Sequence, residues 1–220
     1  MPSETLEEYL ETIYKLSARQ TVRPTPIAEA LGVSGPTVTA TLKRLESRGL
    51  ITRPGGDVVL TDEGKALAVD IIRRHRVAER FLVDALGLRW EEAHEDACRL
   101  EHALSPRVME ALEVFLDNPE MCPHGHPIPS AAGDIVPVKG VPLCDVESGR
   151  TSRVVQVAED DEPMLAYLGS LGMYPGARVR VCEIAPFNGP LLIDVNGTRH
   201  ALARDIAERI LVDPGDHGGE

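Results

Sequence analysis

No run of about 18 apolar residues, the length a helix needs to cross a bilayer, occurs anywhere in the 220 residues. A membrane-spanning segment is therefore not expected. The opening stretch, MPSETLEEYLETIY, is acidic and amphipathic. It lacks the basic and apolar blocks of a secretory signal and the Arg-rich character of a transit peptide. Cysteine is scarce: Cys98, Cys122, Cys144 and Cys182 lie far apart and form no C-x-x-C pair. That excludes a disulfide framework and points to a reduced, cytoplasmic protein. Nucleophile elbow, P-loop and H-E-x-x-H motifs are also missing, so no familiar catalytic signature is present.

Positive charge is short as well. The net charge is −12, which argues against a general nucleic-acid binder. Its distribution is uneven. Residues 1–80 carry 12 Lys+Arg against 11 Asp+Glu, whereas residues 81–220 carry 11 against 24. Any contact with DNA must therefore fall in the first third of the chain.

That third has a recognisable order. Residues 4–18 form an amphipathic helix with Leu6, Leu10, Ile13, Tyr14 and Leu16 on its apolar face and Ser3 as cap. Residues 26–48 read as a helix-turn-helix, with Gly32 ending the first helix and Ser34 capping the second. Val38, Leu42 and Leu45 form the buried stripe of that second helix. Its other face offers Ser34, Pro36, Thr37, Thr39, Thr41, Lys43 and Arg44. Small hydroxyl residues at the front of a helix suit the major groove, where methyls meet thymine methyls and hydroxyls reach phosphates or bases. A plain surface helix pair has the same pattern. The segment LITRPGGDVVLT that follows, however, reads as strand, Pro-Gly-Gly turn and strand. It completes a winged helix, with Arg53 as a phosphate contact.

The densest chemistry lies between Arg73 and Leu104. His75 and Glu79 are four apart on a long helix from Asp62 to about Leu86. His94, Cys98, Glu101 and His102 stand at i, i+4, i+7 and i+8, one stripe of a helix over 90–103. A single histidine on a helix is ordinarily packed or solvated. Three His, one Cys and two Glu on two adjacent helices make a metal site. Residues 105–117 form a further helix with Met109, Leu112, Phe115 and Leu116 inward, material for a symmetric dimer. Residues 118–140 are a Pro-rich loop passing into a linker, with Cys122, His124 and His126 on it. Loops of this kind often simply expose their histidines. From Val141 the chain turns to short strands around one helix, MLAYLGSLG, as in a small SH3-like barrel with an acidic cluster at Glu159–Glu162. The fold class expected is mainly α with α+β: a winged helix-turn-helix over 1–72, a helical dimerisation domain with linker over 73–140, an SH3-like barrel over 141–214, and a disordered tail over 215–220.

These motifs match a family. H-R-x-x-E at His75–Glu79, H-x-D-A-C-x-x-E-H at His94–His102, P-H-G-x-P-I-P at Pro123–Pro129 and S-G-P-T-V at Ser34–Val38 resemble the diphtheria-toxin-repressor family of metal-activated bacterial regulators. The segments G-M-Y-P-G-A-R-V-R-V and A-P-F-N-G-P resemble the SH3-like domain shared with a small ferrous-iron-transport accessory protein. The resemblance implies a primary metal site of Glu8, Cys98, Glu101 and His102. It implies an ancillary site of His75, Glu79 and His94, completed by Asp160 and Glu162, with Cys122, His124 and Glu11 as further candidates. Iron-responsive members usually carry Met at the position of Glu8, and manganese-responsive members a carboxylate at the position of Cys98, so this chain mixes the two patterns.

The function this implies is a non-enzymatic, metal-dependent repressor of manganese or iron uptake genes. It would be a homodimer on palindromic operator DNA, with two dimers per operator also compatible. Its ions would be Mn(II) or Fe(II), about two per chain, with Zn(II), Co(II), Ni(II) and Cd(II) expected to bind in vitro by affinity order. The competing classes are a metallohydrolase-type enzyme, which would need an open coordination position, and a metal buffer or transport accessory, which would leave the winged helix unexplained.

Overall fold

The computed structural model describes residues 3–159 and 161–213. Asp160 and the tail at 215–220 lie outside the described residues. The chain divides into two compact units. One comprises the residues up to His75 with Arg99–Met109 and Pro129–Ile135; the other comprises Arg76–Cys98, Glu110–Ile128 and the chain from Val136 onward.

In the first unit, α1 (Glu4–Ser17), α2 (Pro24–Leu31) and α3 (Gly35–Ser47) precede a short wing of β1 (Ile51–Thr52) and β2 (Val59–Leu60). The apolar stripes read from the sequence converge: Leu6, Leu10, Ile13, Ile27, Val38, Leu42 and Leu45 are all fully buried in one core. Burying a Leu or Ile contributes roughly 1.5–3 kcal/mol, so these stripes hold the helix-turn-helix together. Ser3 stands at the α1 cap position without a side-chain capping bond. Its carbonyl accepts from the Leu6 and Glu7 amides instead. The wing is short, pairing Ile51 with Leu60 and Thr52 with Val59 across a 3₁₀ turn at Pro54–Gly56.

The helix α4 (Asp62–Asp84) supplies residues to both units, and α5 (Ala93–Leu100) and α6 (Pro106–Phe115) follow. The expected continuous helix over 90–103 is shorter. Its end, Glu101–Ala103, is a 3₁₀ turn. Such tightening is common at helix C-termini, and Pro106 bars Ser105 from continuing an α-helix. Glu101 and His102 thus sit on a tight turn rather than on the stripe of Cys98. On α6, Met109 is buried, but Phe115 is 66% exposed, as is Val114 at 74%, against the inward placement expected of Phe115.

The second unit carries an antiparallel sheet of β3 (Val141–Pro142), β4 (Thr151–Val157), β5 (Arg178–Ile184), β6 (Leu191–Val195), β7 (Thr198–Leu202) and β8 (Ile210–Asp213), in the order β3-β8-β4-β5-β6-β7. The helices α7 (Glu162–Ser170) and α8 (Arg204–Glu208) interrupt it. Period-two alternation puts Leu191, Ile193 and Val195 of β6 inward. Asn196 and Gly197, at φ 53° and 82°, make the β6–β7 turn. Trp90, from the α4–α5 connection, is part of this sheet's core together with Leu168 and Met173.

Asp161 caps α7. Its Oδ1 accepts the Met164 amide at 3.0 Å, and its Oδ2 meets Arg209 Nη1 at 2.7 Å. The Met164 amide first, and then Arg209, hold its carboxyl below the ordinary 3.8. The stabilisation is therefore complete above that value and is lost as pH falls through the lower folded one. Asp161→Ala is expected to cost about 1 kcal/mol, read as a lowered unfolding midpoint at pH 7 and no difference from the parent at strongly acid pH.

Candidate metal centres and nucleic-acid interface

The exposed front of α3 is built by its cap. Ser34 Oγ accepts the Thr37 amide at 3.4 Å and shares a 2.8 Å hydrogen bond with Thr37 Oγ1. Thr39 Oγ1 donates back to the Gly35 carbonyl at 3.0 Å, which leaves its methyl as the outward group. Ser34, Pro36, Thr37, Thr39, Lys43 and Arg44 are all exposed. Thr41 is not. It is 5% exposed, on the flank of the Val38–Leu42–Leu45 stripe, so the expectation that it faces DNA is corrected. Arg53 is half-buried at the base of the wing.

In the same unit, acids and histidines form a connected set. His75 Nδ1 lies 2.6 Å from Glu101 Oε2, both side chains being almost fully buried. Glu101 Oε1 is 3.3 Å from His102 Nε2, and His102 Nδ1 is 2.8 Å from Glu7 Oε2. Arg74 is also buried; its Nη1 donates to the Glu101 carbonyl at 3.0 Å and its Nη2 is 3.7 Å from Glu7. Burial raises the pKa of Glu101, opposed by the His75 hydrogen bond and assisted by the charge of Glu11. Glu11 itself pairs with Lys15 at 3.0 Å. Glu4 and Glu8 are exposed, and each offers an oxygen within 4.8 Å of a His102 nitrogen and of the other. His75, expected in the ancillary set, is here joined to Glu101.

The second unit contains a more deeply enclosed group. Glu79, Cys122, His124 and Glu159 are all buried and place one donor atom each within 4.8 Å of one another. His124 Nδ1 is 3.4 Å from Glu79 Oε2, and His94 Nδ1 is 3.2 Å from Glu79 Oε1. Cys98 Sγ lies 3.8 Å from His94 Nε2. Burial pushes the Cys122 thiol well above its ordinary pKa, and the charges of Glu79 and Glu159 push it further. The Pro-rich loop is not a solvated linker here. A bridge between Met121 and Pro127 closes it, and the Cys122 amide donates to the His126 carbonyl at 2.8 Å. Its His126 Nε2 donates to the Val157 carbonyl at 2.9 Å. Gly125 turns it at φ 84°, where a Cβ would lie 2.0 Å from the Val155 carbonyl oxygen. Gly125→Ala is therefore expected to displace Cys122 and His124 together. Loss of Co(II)–thiolate absorption in a Cys98→Ser background, with secondary structure retained, would show it.

The donor sets fit a divalent cation. Bond lengths of about 2.0–2.3 Å bring neighbouring donors to the spacing seen. Two carboxylates pressing on a buried thiol are unfavourable together without a positive charge, and a cation reverses that sign. A cleft of about 540 Å³ reaches Cys122 past Arg80, Trp90 and Tyr174, which gives an ion a way in. Glu162, expected among the ancillary ligands, is exposed in the first turn of α7 and stands outside this group. Among the described residues, the carboxylate that the acidic segment supplies is Glu159.

Three family models tile the chain. The "Iron dependent repressor, N-terminal DNA binding domain" matches residues 1–54, the "metal binding and dimerisation domain" of the same repressors matches 61–130, and the FeoA domain matches 141–214. The chain is 38% identical to the iron-dependent repressor IdeR of Mycobacterium leprae, over 96% of this chain and 97% of that protein. The chain belongs to the iron-dependent repressor family. The diphtheria toxin repressor of Corynebacterium efficiens is 36% identical over 97% of this chain and 96% of its own. Among solved structures, a manganese-dependent transcriptional repressor in complex with manganese superposes with a TM-score of 0.87 at 34% identity, covering 94% of this chain and 98% of that one. ScaR with bound Cd2+ gives 0.80 at 33% identity, covering 96% and 99%.

Within this repressor framework, three residues escaped the reading of the sequence: Glu4, exposed one helical turn before Glu8 on α1, Glu7 and Glu159. Glu7, buried against His102 and Arg74, carried a signal: on a helix it is three before Leu10 and seven before Tyr14, at the edge of the apolar face. Glu159 carried none, because four acids follow one another at 159–162 and only packing selects which turns inward. Among the described residues no helix is long and apolar enough to cross a membrane.

Proposed function

We propose that this chain is a metal-activated transcriptional repressor that binds operator DNA as a homodimer, with Mn(II) or Fe(II) as its co-repressor and about two ions per chain. The observation that carries the reading lies in the first unit. Glu8 and Glu4 project from α1 toward His102, and α1 packs on α2 of the helix-turn-helix. An ion held by Glu8, Glu101 and His102 would tie the 3₁₀ turn to α1 and so fix the body that presents α3. The resemblance in sequence adds Cys98 to this set. The second ion would be held by Glu79, Cys122, His124 and Glu159, with His94 beside Glu79. Carboxylate-rich donors suit Mn(II) and Fe(II), and the carboxylate of Glu8, in place of the thioether of the iron class, favours manganese.

Two recognition helices of a dimer must stand about one DNA turn apart, roughly 34 Å. The exposed Val108, Val114 and Phe115 of α6 supply apolar surface for a second copy. Binding of the ion and of DNA are then reciprocal: each strengthens the other by the same factor. The test is a fluorescence-anisotropy titration of the protein onto DNA from upstream of its own gene and of metal-transporter genes, with Mn(II), with Fe(II) and with chelator. Tight, saturable binding only with metal is expected. Equal affinity with chelator overturns the proposal.

Arg44 gives a separate check. It is exposed on α3, five residues beyond Thr39 of the hydroxyl-bearing front. Arg44→Ala is expected to weaken binding on every DNA sequence alike and to flatten the log–log salt slope by about one. A change confined to the specific site would instead make Arg44 a base reader.

A further inference from the structure

We propose that Trp90 is a positioning residue for the second metal centre: it selects the tautomer of His124 and joins the state of that centre to the packing of the C-terminal sheet. The inference rests on reading Glu79, Cys122, His124 and Glu159 as metal ligands.

Trp90 is the single tryptophan of the chain and stands in the connection between α4 and α5. Its side chain belongs to a different element's core. It is 6% exposed and packs with the apolar residues inside the C-terminal sheet. The seat for the indole is made by α7. A Cβ on Gly169 would lie 2.9 Å from Trp90 Nε1 and 3.1 Å from Tyr174 Oη, so a glycine admits both rings. The Tyr174 ring packs on the indole at 4.9 Å between centroids.

The other neighbour of Trp90 is His124. The two rings are stacked, with centroids 5.2 Å apart and planes at 30°. The main-chain carbonyl of Trp90 is 2.9 Å from His124 Nε2. A carbonyl can only accept, so Nε2 keeps its hydrogen. The lone pair is then on Nδ1, the nitrogen that faces Glu79 at 3.4 Å. One residue thus sets both the rotation of the imidazole, through the stack, and its tautomer, through the carbonyl. Partners of this kind commonly alter metal affinity by roughly 10- to 100-fold. Because the indole is seated in the sheet's core, its carbonyl is only as well placed as that packing. The sheet and the ion therefore stabilise each other.

The experiment uses the full-length Cys98→Ser protein, in which Cys122 is the thiolate available to an ion beside a histidine. Co(II) is titrated while thiolate-to-Co(II) absorption and Trp90 fluorescence are followed together. Both signals should saturate in parallel, because the paramagnetic ion sits one ring away from the indole. Trp90→Phe preserves a stacked ring and should keep the Co(II) affinity. Trp90→Ala should weaken it by about 10- to 100-fold. Trp90→Leu, which keeps an apolar plug in the core, carries the same expectation and serves if the alanine variant does not fold. Mn(II) affinity of the Glu8–His102 set should be the same in all of them, which a general loss of structure would not allow. Unchanged Co(II) affinity in Trp90→Leu overturns the role of Trp90 while leaving the metal centre standing. Absence of a thiolate band in the protein that retains Trp90 overturns the metal centre itself, and the inference with it.

Discussion

Glu101→Ala should abolish metal activation of operator binding while leaving the weak, metal-independent affinity in place. Glu101 is the hub of its set: one oxygen meets His75 at 2.6 Å and the other faces His102 at 3.3 Å. It is 1% exposed, so nothing from solvent can replace it. Removing it leaves His102 with Glu7, breaks the His75–Glu101 contact, and takes the principal buried carboxylate from the donor set. The loss expected is the whole coupling between ion and DNA, which for allosteric pairs is typically 1–3 kcal/mol, about 5- to 150-fold. Anisotropy titrations with and without Mn(II) measure it directly. Glu101→Gln separates charge from shape, since the amide keeps the volume and one oxygen. It should lose most of the activation too, because charge is what the cation requires. A Glu101→Ala protein that still responds to Mn(II) in full would place the activating ion elsewhere.

Chelation should lower the thermal midpoint of the protein by several degrees, and Glu79→Ala should make that midpoint insensitive to chelator at the second centre. Glu79 and His124 are 0% exposed, and Cys122 is 2%. Two carboxylates and a thiol share this buried space; burial first, and then the charges of Glu79 and Glu159, push the Cys122 thiol up, and a cation among them would offset those charges. A ligand at 100 times its Kd adds about 2.7 kcal/mol to the folded state. For a chain of 150–250 residues each kcal/mol moves the midpoint by roughly 2–4 °C. Saturating Mn(II) should thus raise it by about 5–10 °C. Differential scanning calorimetry of parent and Glu79→Ala, each with metal and with chelator, gives the comparison. A metal-induced rise that survives intact in Glu79→Ala would assign the stabilisation to the first unit alone.

The winged helix was legible because its information is local. A 3.6-residue period marks α3 through Val38, Leu42 and Leu45, Gly32 marks the turn, and Ser34 marks the cap. The cluster of candidate donors on α4 and α5 was visible for a related reason: His75, Glu79, His94 and Cys98 recur at helical spacing. Legibility ended where packing, rather than period, decides. Spacings of seven and eight allowed an α-helical stripe through Glu101 and His102, yet the 3₁₀ turn re-aims both. Thr41 looked like its neighbours Thr37 and Thr39, but it sits one position before Leu42 on the inward flank. Cys122 and His124 lie on a stretch without periodicity, so resemblance alone pointed to them. Their burial depends on Gly125 meeting β4 and on Trp90, contacts between segments far apart in sequence.

The pairing of Glu7 with His102, and of His75 with Glu101, has a bearing on when the switch operates. These donors are satisfied by one another before any ion arrives, with Arg74 neutralising part of the charge. An ion held as proposed would have to break those contacts as it forms its own. A hydrogen bond to a charged group contributes about 1.5–3 kcal/mol, and each 1.4 kcal/mol shifts a Kd tenfold. For the repressor proposed above, these internal pairs would act as a set point, raising the free divalent-ion concentration needed for activation.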